Sequence, residues 1–426
     1  MPIQVRGMAK LSELLESRGY VYQHSGESLQ EITDVTKRTL YLGIDPTADS
    51  LHVGHLQNLF LLKHFIDDGH KVIALIGGGT GMIGDPSGRS EERNLLDTKT
   101  INENADAIKK QIELVVGKGT FEMVNNVDWL GELKLLDFLR DVGKHFTVNE
   151  MLRKDSVKGR IEGKEQSISF TEFSYQLLQS YDFLHLHTMM GCDLQIGASD
   201  QWGNISAGID FVKKKTGDVV YGFTAPLLVD KKTGKKFGKS EKGTVWLDQQ
   251  KTSAFSFYQF WFNTDDDSIE ELLLRMTFIP ASEIAKIMEA HNASPAERIA
   301  QRELALSVTA LVHSKQAAEA AEKVSKTAFG ESQVANLTPD AQVLLKEEMP
   351  TTQVRIGQDL VDVLVLSELA TSKNEARGYI EKEAITLNGA RVTDSNRKIR
   401  MEDFQNADVA LLKRGKRNIA VLIQAR

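Results

Sequence analysis

The sequence predicts an α/β protein whose first part is a doubly wound parallel sheet, followed by an α-helical part and a small α+β module. Residues 39–44 form an apolar run, 52–67 carry apolar residues at helical spacing, and 71–76 form a second apolar run. A strand, a helix and a strand over this distance make the βαβ crossover of a parallel sheet. Residues 248–327 show only helical periodicity, whereas 358–426 contain a helix pattern and a hairpin pattern.

The length and composition are those of a globular protein with two or three domains. The chain has 426 residues, of which 41% are hydrophobic and 26% are charged. No apolar run approaches the ~20 residues that cross a bilayer, and the N-terminus lacks the apolar core of a signal peptide. The lone Cys192 excludes an internal disulfide. We therefore expect a cytoplasmic protein without a membrane partner.

The charges are unevenly distributed along the chain. The net charge is −7, but residues 351–426 contain 13 Lys and Arg against 10 Asp and Glu. A mildly basic end on an acidic body is consistent with RNA binding at that end.

Apolar periodicity predicts the remaining elements of the first 247 residues. A helix is expected around Leu11–Leu15, and the region 100–165 is expected to be largely helical. A helix over 169–187, a strand over 194–197 and a strand over 221–229 follow.

A linker is predicted before the C-terminal module. Residues 328–357 lose periodicity and contain Pro339 and Pro350. A capped helix over 372–382 and a hairpin over 385–392, with Asn-Gly at its turn, come after it.

The stretch Tyr41–His55 joins a strand end to a helix start. His52 and His55 lie three residues apart on one helix face, and Gly54 leaves room for a flat ring or a backbone to approach. The free N–H groups and positive dipole of a helix start attract phosphate. Taken alone, the pair could also be two surface histidines or, as a minority option, part of a metal site.

A glycine-rich segment, 77–88, follows the second predicted strand. So many glycines let the backbone approach a ligand at the carboxyl end of the strand. The segment is not a G-x-x-x-x-G-K-[ST] phosphate loop, because no lysine stands at the required place. A long loop without a ligand is the alternative interpretation.

The segment Lys236–Ser240 is a small loop with two lysines, flanked by Gly234 and Gly243. A histidine pair at a helix start and such a loop together are typical of nucleotidyl transfer. In that reaction, donors surround a triphosphate and strengthen as charge moves to the departing pyrophosphate.

These two signatures resemble the H-x-G-H and K-x-x-K-[ST] motifs of class I aminoacyl-tRNA synthetases. The residues around them narrow the resemblance to bacterial-type tyrosyl-tRNA synthetases, from about residue 8 to the C-terminus. The matching segments, in the order of the family, are Tyr41–His55, 84–88 (GDPSG), 171–176 (TEFSYQ), 194–204 (LQIGASDQWGN) and 236–240 (KFGKS).

The resemblance implies a Rossmann-like catalytic domain over 1–247, an α-helical domain over 248–327, and an S4-like RNA-binding domain over 358–426. Within the first domain, an insertion at about 100–165 forms the homodimer interface in the family. The implied reaction joins tyrosine to ATP as tyrosyl-adenylate, releases pyrophosphate and transfers the tyrosyl group to the 3′ end of tRNA(Tyr). ATP is then a substrate. Mg²⁺ is expected to accompany ATP, and no ligand cluster in the sequence marks a fixed metal site.

The implied tyrosine-binding residues are Tyr41, Asp85, Tyr175, Gln179, Asp182 and Gln201. Tyr41 and Asp182 would form the polar floor of an otherwise apolar slot. Asp85, Tyr175 and Gln179 would hold the α-ammonium group, while Gln201 would lie beside the reacting carboxyl group. Spacings of four and seven residues place Gln179 and Asp182 on the same helix face as Tyr175.

The implied residues for ATP and the departing pyrophosphate are Gly43, Asp45, Thr47, His52, Gly54, His55, Arg89, Arg93, Asp200, Lys236, Lys239 and Ser240. Thr47 and His52 would contact the departing phosphates, and His55 would lie closer to the sugar. Asp200 would hold the ribose, and the lysines and arginines would close over the pyrophosphate. Leu42 stands where many relatives have a cysteine that touches the ribose, so that contact is expected to be absent.

Ser372–Arg377 resembles the helix signature of an S4-type module. The candidate phosphate contacts are Lys373, Arg377, Lys398, Lys413, Arg414, Lys416 and Arg417. A basic protein-interaction module is the alternative.

Three other functions fit part of the sequence. A tryptophanyl enzyme shares the fold and both signatures, but the Tyr41 and Asp182 pair and the S4-like end disfavour it. The function of a small-molecule nucleotidyltransferase would not account for residues 248–426. An RNA-binding protein with a degenerate catalytic domain is disfavoured because both histidines and both loop lysines are present.

We predict that Lys239→Ala lowers the rate of tyrosine activation far more than it weakens tyrosine binding. The reason is that the lysine would act on charge that develops only as pyrophosphate leaves. Single-turnover kinetics and tyrosine titration check this, and equal losses in the rate and the affinity would contradict it.

Overall fold

The structure is a computed structural model that describes residues 10–87, 97–154, 157–158, 161, 168–229, 231, 234, 237–240, 243–330, 333–404 and 408–425. It divides into two compact units. The first comprises Met1–Lys251 and Asp265–Ala300, and the second comprises Thr252–Thr264 and Gln301–Arg426. Over the described ranges, no helix is both long enough and apolar enough to cross a membrane.

A six-stranded sheet forms the centre of the first unit. Its strands are β1 (Gln23–His24), β2 (Thr39–Ile44), β3 (Lys71–Ile76), β4 (Glu122–Asn125), β5 (Leu194–Ala198) and β6 (Tyr221–Ala225), in the spatial order β1-β6-β5-β2-β3-β4. All neighbours are parallel except β1, which is antiparallel to β6. The chain builds the sheet outward from β2 on one side and then on the other, which is the doubly wound arrangement.

Helices connect and cover the strands. In chain order they are α1 (Leu11–Ser17), α2 (Leu29–Thr33), α3 (Val53–Asp67), α4 (Thr98–Val116), α5 (Val127–Leu130), α6 (Leu135–Asp141), α7 (Val148–Leu152), α8 (Phe170–Met190), α9 (Trp202–Thr216), α10 (Ala254–Phe262), α11 (Asp266–Met276), α12 (Ala281–Ala293), α13 (Ile299–Val312), α14 (Lys315–Phe329), α15 (Pro339–Glu348), α16 (Leu360–Leu366) and α17 (Lys373–Glu381). Helix α8 carries Tyr175, Gln179 and Asp182, three of the six residues expected to bind tyrosine. The Ser169 side chain caps its first turn by accepting from the backbone N–H of Glu172, and Gly191 ends it at a φ of 65°.

The second unit contains a five-stranded sheet and the helices that pack with it. The strands are β9 (Thr351–Val354), β10 (Ile385–Leu387), β11 (Ala390–Arg391), β12 (Val409–Arg414) and β13 (Asn418–Gln424), in the order β11-β10-β12-β13-β9. The turn between β10 and β11 has positive φ at both Asn388 (49°) and Gly389 (83°), as the Asn-Gly sequence predicts for a two-residue hairpin. Ser372 caps α17 through the N–H of Glu375.

The region 100–165 is largely helical over its described residues, as expected, and it also contains β4, a short edge strand with too few residues to show a period. Two predictions about elements need correction. The strand predicted over 221–229 ends at Ala225, because Pro226 follows and cannot donate to a ladder. The linker predicted over 328–357 contains α15 and β9, and β9 completes the C-terminal sheet by pairing with β13. The assignment of functional domains stays a prediction.

Candidate active site

The site lies at the carboxyl edge of the six-stranded sheet, between β2 and β5, where the strand order reverses. The loops that leave these two strands diverge, and open α/β sheets bind ligands in the crevice that this produces. Asp45 follows β2, Gly77 follows β3, Asn126 follows β4 and Asp200 follows β5. Four successive loops therefore bring polar groups to one edge.

A buried phenol lies at the floor of the site. Tyr41 of β2 is 1% exposed and packs edge-on against Phe183, with ring centroids 5.4 Å apart. Its hydroxyl group has no hydrogen-bond partner among the described residues, nor does the side-chain oxygen of Gln195, which pairs with Tyr41 across β2 and β5. Buried polar atoms are rarely left unpaired. Two such atoms on neighbouring strands indicate a place for a polar atom of a ligand.

Asp182 of α8 is the carboxylate of this floor and is 1% exposed. Its two oxygens accept hydrogen bonds from Asn126 Nδ2 at 2.9 Å and from Trp129 Nε1 at 2.8 Å. Burial raises the pKa of Asp182 to about 7, and the two hydrogen bonds limit that rise. Burial, and then the charge of Asp182, hold the pKa of Tyr41 well above its usual value, so Tyr41 remains a hydrogen-bond donor.

Thr80 and Asn126 connect this floor to Asp45. Thr80 Oγ1 donates to Asp45 Oδ1 at 2.8 Å and accepts from Asn126 Nδ2 at 2.9 Å. The hydroxyl of Tyr175 donates to the other Asp45 oxygen at 3.1 Å. A Cβ atom at Gly77 would lie 2.1 Å from Asp45 Oδ1. The glycine at 77 is therefore required for Asp45 to keep this position.

A second polar group, made of Asp85, Gln179, Gln201 and Asn204, lies near Tyr175. Gln201 Nε2 donates to Asp85 Oδ2 at 2.7 Å. Asn204 Nδ2 lies 3.1 Å from the side-chain oxygen of Gln179 and 3.3 Å from that of Gln201. Burial, and then nearby carboxylates, raise the pKa of Tyr175 well above its usual value. The group offers a carboxylate and amide oxygens, which are the acceptors that an ammonium group needs.

The two histidines of the helix start cap α3. His52 Nδ1 accepts from the N–H of Gly54 at 3.1 Å, and His55 Nδ1 accepts from the N–H of His52 at 3.2 Å. Because Nδ1 is an acceptor in both rings, the proton of each neutral ring lies on Nε2, which is then a donor. The ring centroids are 4.0 Å apart. The backbone N–H groups of Val53, Gly54 and His55, expected to be free, already donate within the protein, so this helix start offers a phosphate chain its dipole and the two ring donors.

The lysine loop lies directly against this helix start. A Cβ atom at Gly54 would come 3.2 Å from the backbone oxygen of Phe237, and one at Gly238 would come 2.8 Å from a methyl group of Val53. Gly238 has a φ of 99°, which favours glycine. The base of the loop is held by the N–H of Val53, which donates to the carbonyl oxygen of Val245 at 3.0 Å. The sequence-distant histidine and lysine segments are therefore neighbours.

The other predicted ATP-site residues are placed unevenly. Gly43 and Thr47 are exposed at the carboxyl edge, and Asp200 lies in the 3₁₀ turn Ser199–Gln201. Arg89, Arg93 and Lys236 lie outside the described residues. For Lys239 and Ser240 the backbone alone is described, as β7 (Lys239–Ser240), which pairs with β8 (Gly243–Thr244).

Comparisons with known proteins agree with this geometry. The family model for tRNA synthetases class I (W and Y) matches residues 34–330, and that for the tyrosine–tRNA ligase SYY-like C-terminal domain matches residues 341–422. The tyrosine–tRNA ligase of Chromobacterium violaceum is 44% identical over 414 residues, which cover 96% of this chain and 97% of that relative. The chain belongs to the tyrosine–tRNA ligase family.

Two further similarities extend the match. The tyrosine–tRNA ligase of Roseiflexus castenholzii is 43% identical over 421 residues, covering 96% of this chain and 98% of that relative. A solved structure, of a C-terminally truncated mitochondrial tyrosyl-tRNA synthetase from Aspergillus nidulans, is 32% identical with a TM-score of 0.65. The match covers 74% of this chain and 92% of the Aspergillus nidulans chain. The family resemblance, the Rossmann-like fold class and the enzyme class predicted from the sequence are confirmed.

Sequence reasoning missed five residues that the structure places beside the candidate site residues: Thr80, Asn126, Trp129, Gln195 and Asn204. Thr80 lies inside the glycine-rich segment, which was singled out for its backbone alone. Asn126 follows a strand that was not predicted, so the rule that ligands bind at the carboxyl ends of strands could not be applied to it. Gln195 and Asn204 lie within the family segment 194–204, but their spacing gives no reason to assign them a role.

The predicted tRNA contacts differ in how they are held. Arg377, Lys416 and Arg417 are exposed. Arg414 lies over the ring of Tyr379, with its guanidinium carbon 4.8 Å from the ring centroid, and donates to the Tyr379 hydroxyl at 3.0 Å.

The other three cations are held by bonds of their own. Lys373 pairs with Asp362 at 2.5 Å, and Lys398 pairs with Asp359 at 3.6 Å. Lys413 is half-buried and donates to the carbonyl oxygen of Thr327 at 2.7 Å. Burial lowers the pKa of Lys413.

In the part of the chain that the structure describes, no group of three or more His, Cys, Asp or Glu side chains is arranged to hold a metal ion. The acidic residues of the crevice are instead hydrogen-bonded to neighbouring side chains.

We predict that tyrosine binding weakens as the pH falls through 7. The phenol hydroxyl would donate to the ionised form of Asp182, whose pKa is about 7. Binding therefore favours the form that is lost on acidification, and the Kd should rise about 10-fold between pH 8 and pH 6. Calorimetric titration with tyrosine measures this. Phenylalanine, which lacks the hydroxyl, is the control whose profile should stay flatter, and a flat tyrosine profile would refute the assignment.

Proposed function

We propose that this chain activates tyrosine with ATP, forming tyrosyl-adenylate and pyrophosphate, and then transfers the tyrosyl group to the 3′ end of tRNA(Tyr). Membership of the family supports this. The observation that carries the choice of amino acid is the unpaired, buried hydroxyl of Tyr41 beside the carboxylate of Asp182. A phenol hydroxyl between them would accept from Tyr41 and donate to Asp182.

This floor explains why phenylalanine should be rejected. Without a substrate hydroxyl, Tyr41 would remain buried and unpaired, and Asp182 would lose a donor. Tyrosyl enzymes are a known example of strong discrimination against phenylalanine, which leaves the buried polar groups of the site unpaired. We propose that this chain rejects phenylalanine on the same physical basis.

The amino acid is oriented from its other end by the second polar group. Its α-ammonium group would lie among Asp85, Gln179 and the hydroxyl of Tyr175, and Gln201 would lie next to its carboxylate. Gln201 bonds to Asp85 at 2.7 Å, so the groups that would meet the two ends of the amino acid's charge are held in fixed positions relative to each other. Such positioning lowers the entropy that must be lost on reaching the transition state.

The chemical step then needs no nucleophilic side chain. A carboxylate oxygen of tyrosine forms a bond to the α-phosphorus of ATP, and the bond from that phosphorus to the bridging oxygen breaks as pyrophosphate leaves. We propose that His52 and Thr47 stabilise the departing phosphates, that His55 lies nearer the sugar, and that Asp200 holds the ribose. Lys236 and Lys239, with Arg89 and Arg93, would add positive charge as the pyrophosphate departs.

Magnesium would accompany ATP rather than occupy a protein cage. It would neutralise part of the phosphate charge when bound. The acidic residues that could reach it, Asp45 and Asp200, lie on the carboxyl edge, but Asp45 is already engaged by Thr80 and Tyr175.

A direct assay tests the proposed reaction. We expect ATP–pyrophosphate exchange that depends on tyrosine, with tryptophan and no amino acid giving background rates, followed by charging of tRNA(Tyr). Tyr41→Phe should raise the KM for tyrosine while leaving the KM for ATP nearly unchanged, because the hydroxyl lies on the amino acid side. Exchange driven by tryptophan, or exchange without amino acid, would overturn the proposal.

We propose that the C-terminal unit holds tRNA through phosphate contacts, chiefly from Arg377, Arg414, Lys416 and Arg417. Lys413 is another of the seven predicted contacts, but it donates to Thr327 in the same unit. The two lysines near the end of the chain should therefore differ. Lys416 should bind phosphate, whereas Lys413 should support the fold of the unit.

The salt dependence of tRNA binding distinguishes these roles. Lys416→Met should lower the slope of log K against log salt by about 1, because one counterion fewer is released. Lys413→Met, its matched control, should weaken binding without changing the slope. Equal changes in slope would show that both lysines contact phosphate.

We also propose that the chain acts as a cytoplasmic homodimer. Seven large apolar side chains in the described part of 135–170 are exposed in the single chain, namely Leu135, Leu136, Leu139, Val148, Leu152, Ile161 and Phe170. Monomeric proteins seldom leave such a set uncovered, and the region is the one that the family uses for its dimer. Light scattering should give twice the chain mass of 47.5 kDa. A monomer at micromolar concentration would refute this.

A further inference from the structure

Trp129 contacts two side chains of one helix face. Asp182 and His185 are three residues apart on α8 and so lie side by side. The indole Nε1 of Trp129 donates to Asp182 Oδ1 at 2.8 Å. The face of the same indole stacks on the His185 ring, with centroids 4.3 Å apart and planes 15° apart. Asp182 thus contacts the N–H edge of the indole, and His185 contacts its face.

The stack matters because α5, which carries Trp129, is a helix of only four residues, Val127–Leu130. Such a short element fixes its side chains weakly. No residue of α5 is fully buried. A ring lying flat on the indole restricts its rotation, and an indole that rotates loses the geometry of its hydrogen bond. Burial lowers the pKa of His185, which keeps its ring neutral near pH 7.

We propose that His185 is a positioning residue for tyrosine recognition, which holds the indole of Trp129 in the plane where its N–H meets Asp182. Asp182 has two donors from the protein, and Asn126 is shared with Thr80. Trp129, by contrast, donates its N–H to Asp182 and to no second acceptor among the described residues. Losing its alignment would let the Asp182 carboxylate turn and would raise its pKa further, so that less of the ionised form accepts from the phenol near pH 7. This inference rests on the proposed function, because it concerns the same tyrosine slot.

His185→Ala should raise the KM for tyrosine about 2- to 10-fold, the range expected for the loss of one aromatic stack. The kcat of exchange and the KM for ATP should change less than about twofold, since His185 touches neither reactant. His185→Phe keeps a flat ring and should restore the tyrosine KM. The inhibition constant of phenylalanine should stay unchanged, because phenylalanine places no hydroxyl at Asp182.

His187→Ala is the matched control on the same helix. Its ring bonds to the carbonyl oxygen of Cys192 at 2.9 Å and to Asp218 at 3.1 Å, and not to Trp129. That variant should lose stability without a selective rise in the tyrosine KM. A comparable rise would show that any disturbance of the end of α8 has this effect, and the inference would fail.

A double-mutant cycle with Trp129→Phe decides whether His185 acts through the indole. In the Trp129→Phe background the N–H donor is absent, so His185→Ala should add little. Full additivity, or a failure of His185→Phe to restore binding, would overturn the positioning role. If the unsubstituted chain shows no tyrosine-dependent exchange, the proposed function itself fails. If exchange is normal and the KM for tyrosine does not change when His185 is replaced, only this inference fails.

Discussion

The structure of the site depends on a carboxylate that the fold has removed from water. Burial raises the pKa of Asp182 from 3.8 to about 7. The folded chain therefore binds this proton more tightly than the unfolded chain. Ionising Asp182 above pH 7 costs the fold about 4 kcal/mol, and this cost vanishes below about pH 4, where both states are protonated. An apolar side chain would avoid the cost, and the proposed role of Asp182 in recognition gives a physical reason for a carboxylate at this place.

The neighbours of Asp182 are arranged to limit that cost. Asn126 and Trp129 donate to its two oxygens, and Thr80 links Asn126 onward to Asp45. The network runs from one carboxylate to another through groups that can both donate and accept. It draws its members from the loops after β2, β3 and β4. The slot floor and the nucleotide side of the crevice are thus built into one set of hydrogen bonds, and displacing one member affects the orientation of the rest.

The sequence predicted the parts of this site that follow from local rules, and it missed the parts that follow from packing. The helix start at His52 and the strand ends at Ile44 and Ile76 were visible because apolar periodicity changes there. By contrast, Trp129 lies on a four-residue helix after a four-residue edge strand, and neither is long enough to show a period. Its hydrogen bond to Asp182 becomes evident only in the folded chain, where Trp129 lies against α8.

The same limit applies to charge. Lys413 and Lys416 are indistinguishable as basic residues near the C-terminus. Position on the strand separates them, because Lys413 is within β12 and reaches Thr327, whereas Lys416 is in the turn between β12 and β13. The sequence pattern predicts a region for RNA contact but cannot show which of its cations have a protein partner.

The two halves of the active site are constructed differently, and this follows from what each must do. Groups around the proposed amino-acid slot lie on β2, on α8 and in the turns that follow the strands, and they bond to one another, as Gln201 does to Asp85. Preorganised donors and acceptors give discrimination, since a wrong side chain cannot rearrange them. The phosphate side instead joins a helix start to a loop whose glycines have positive φ, Gly234 at 66°, Gly238 at 99° and Gly243 at 112°. The described part of that loop is held by backbone bonds, from the N–H of Phe237 to Leu228 and from the N–H of Val245 to Gly238. Charge that develops and departs with pyrophosphate is best met by groups whose contacts strengthen as it departs, because a site matched to bound triphosphate would stabilise the ground state as much as the transition state.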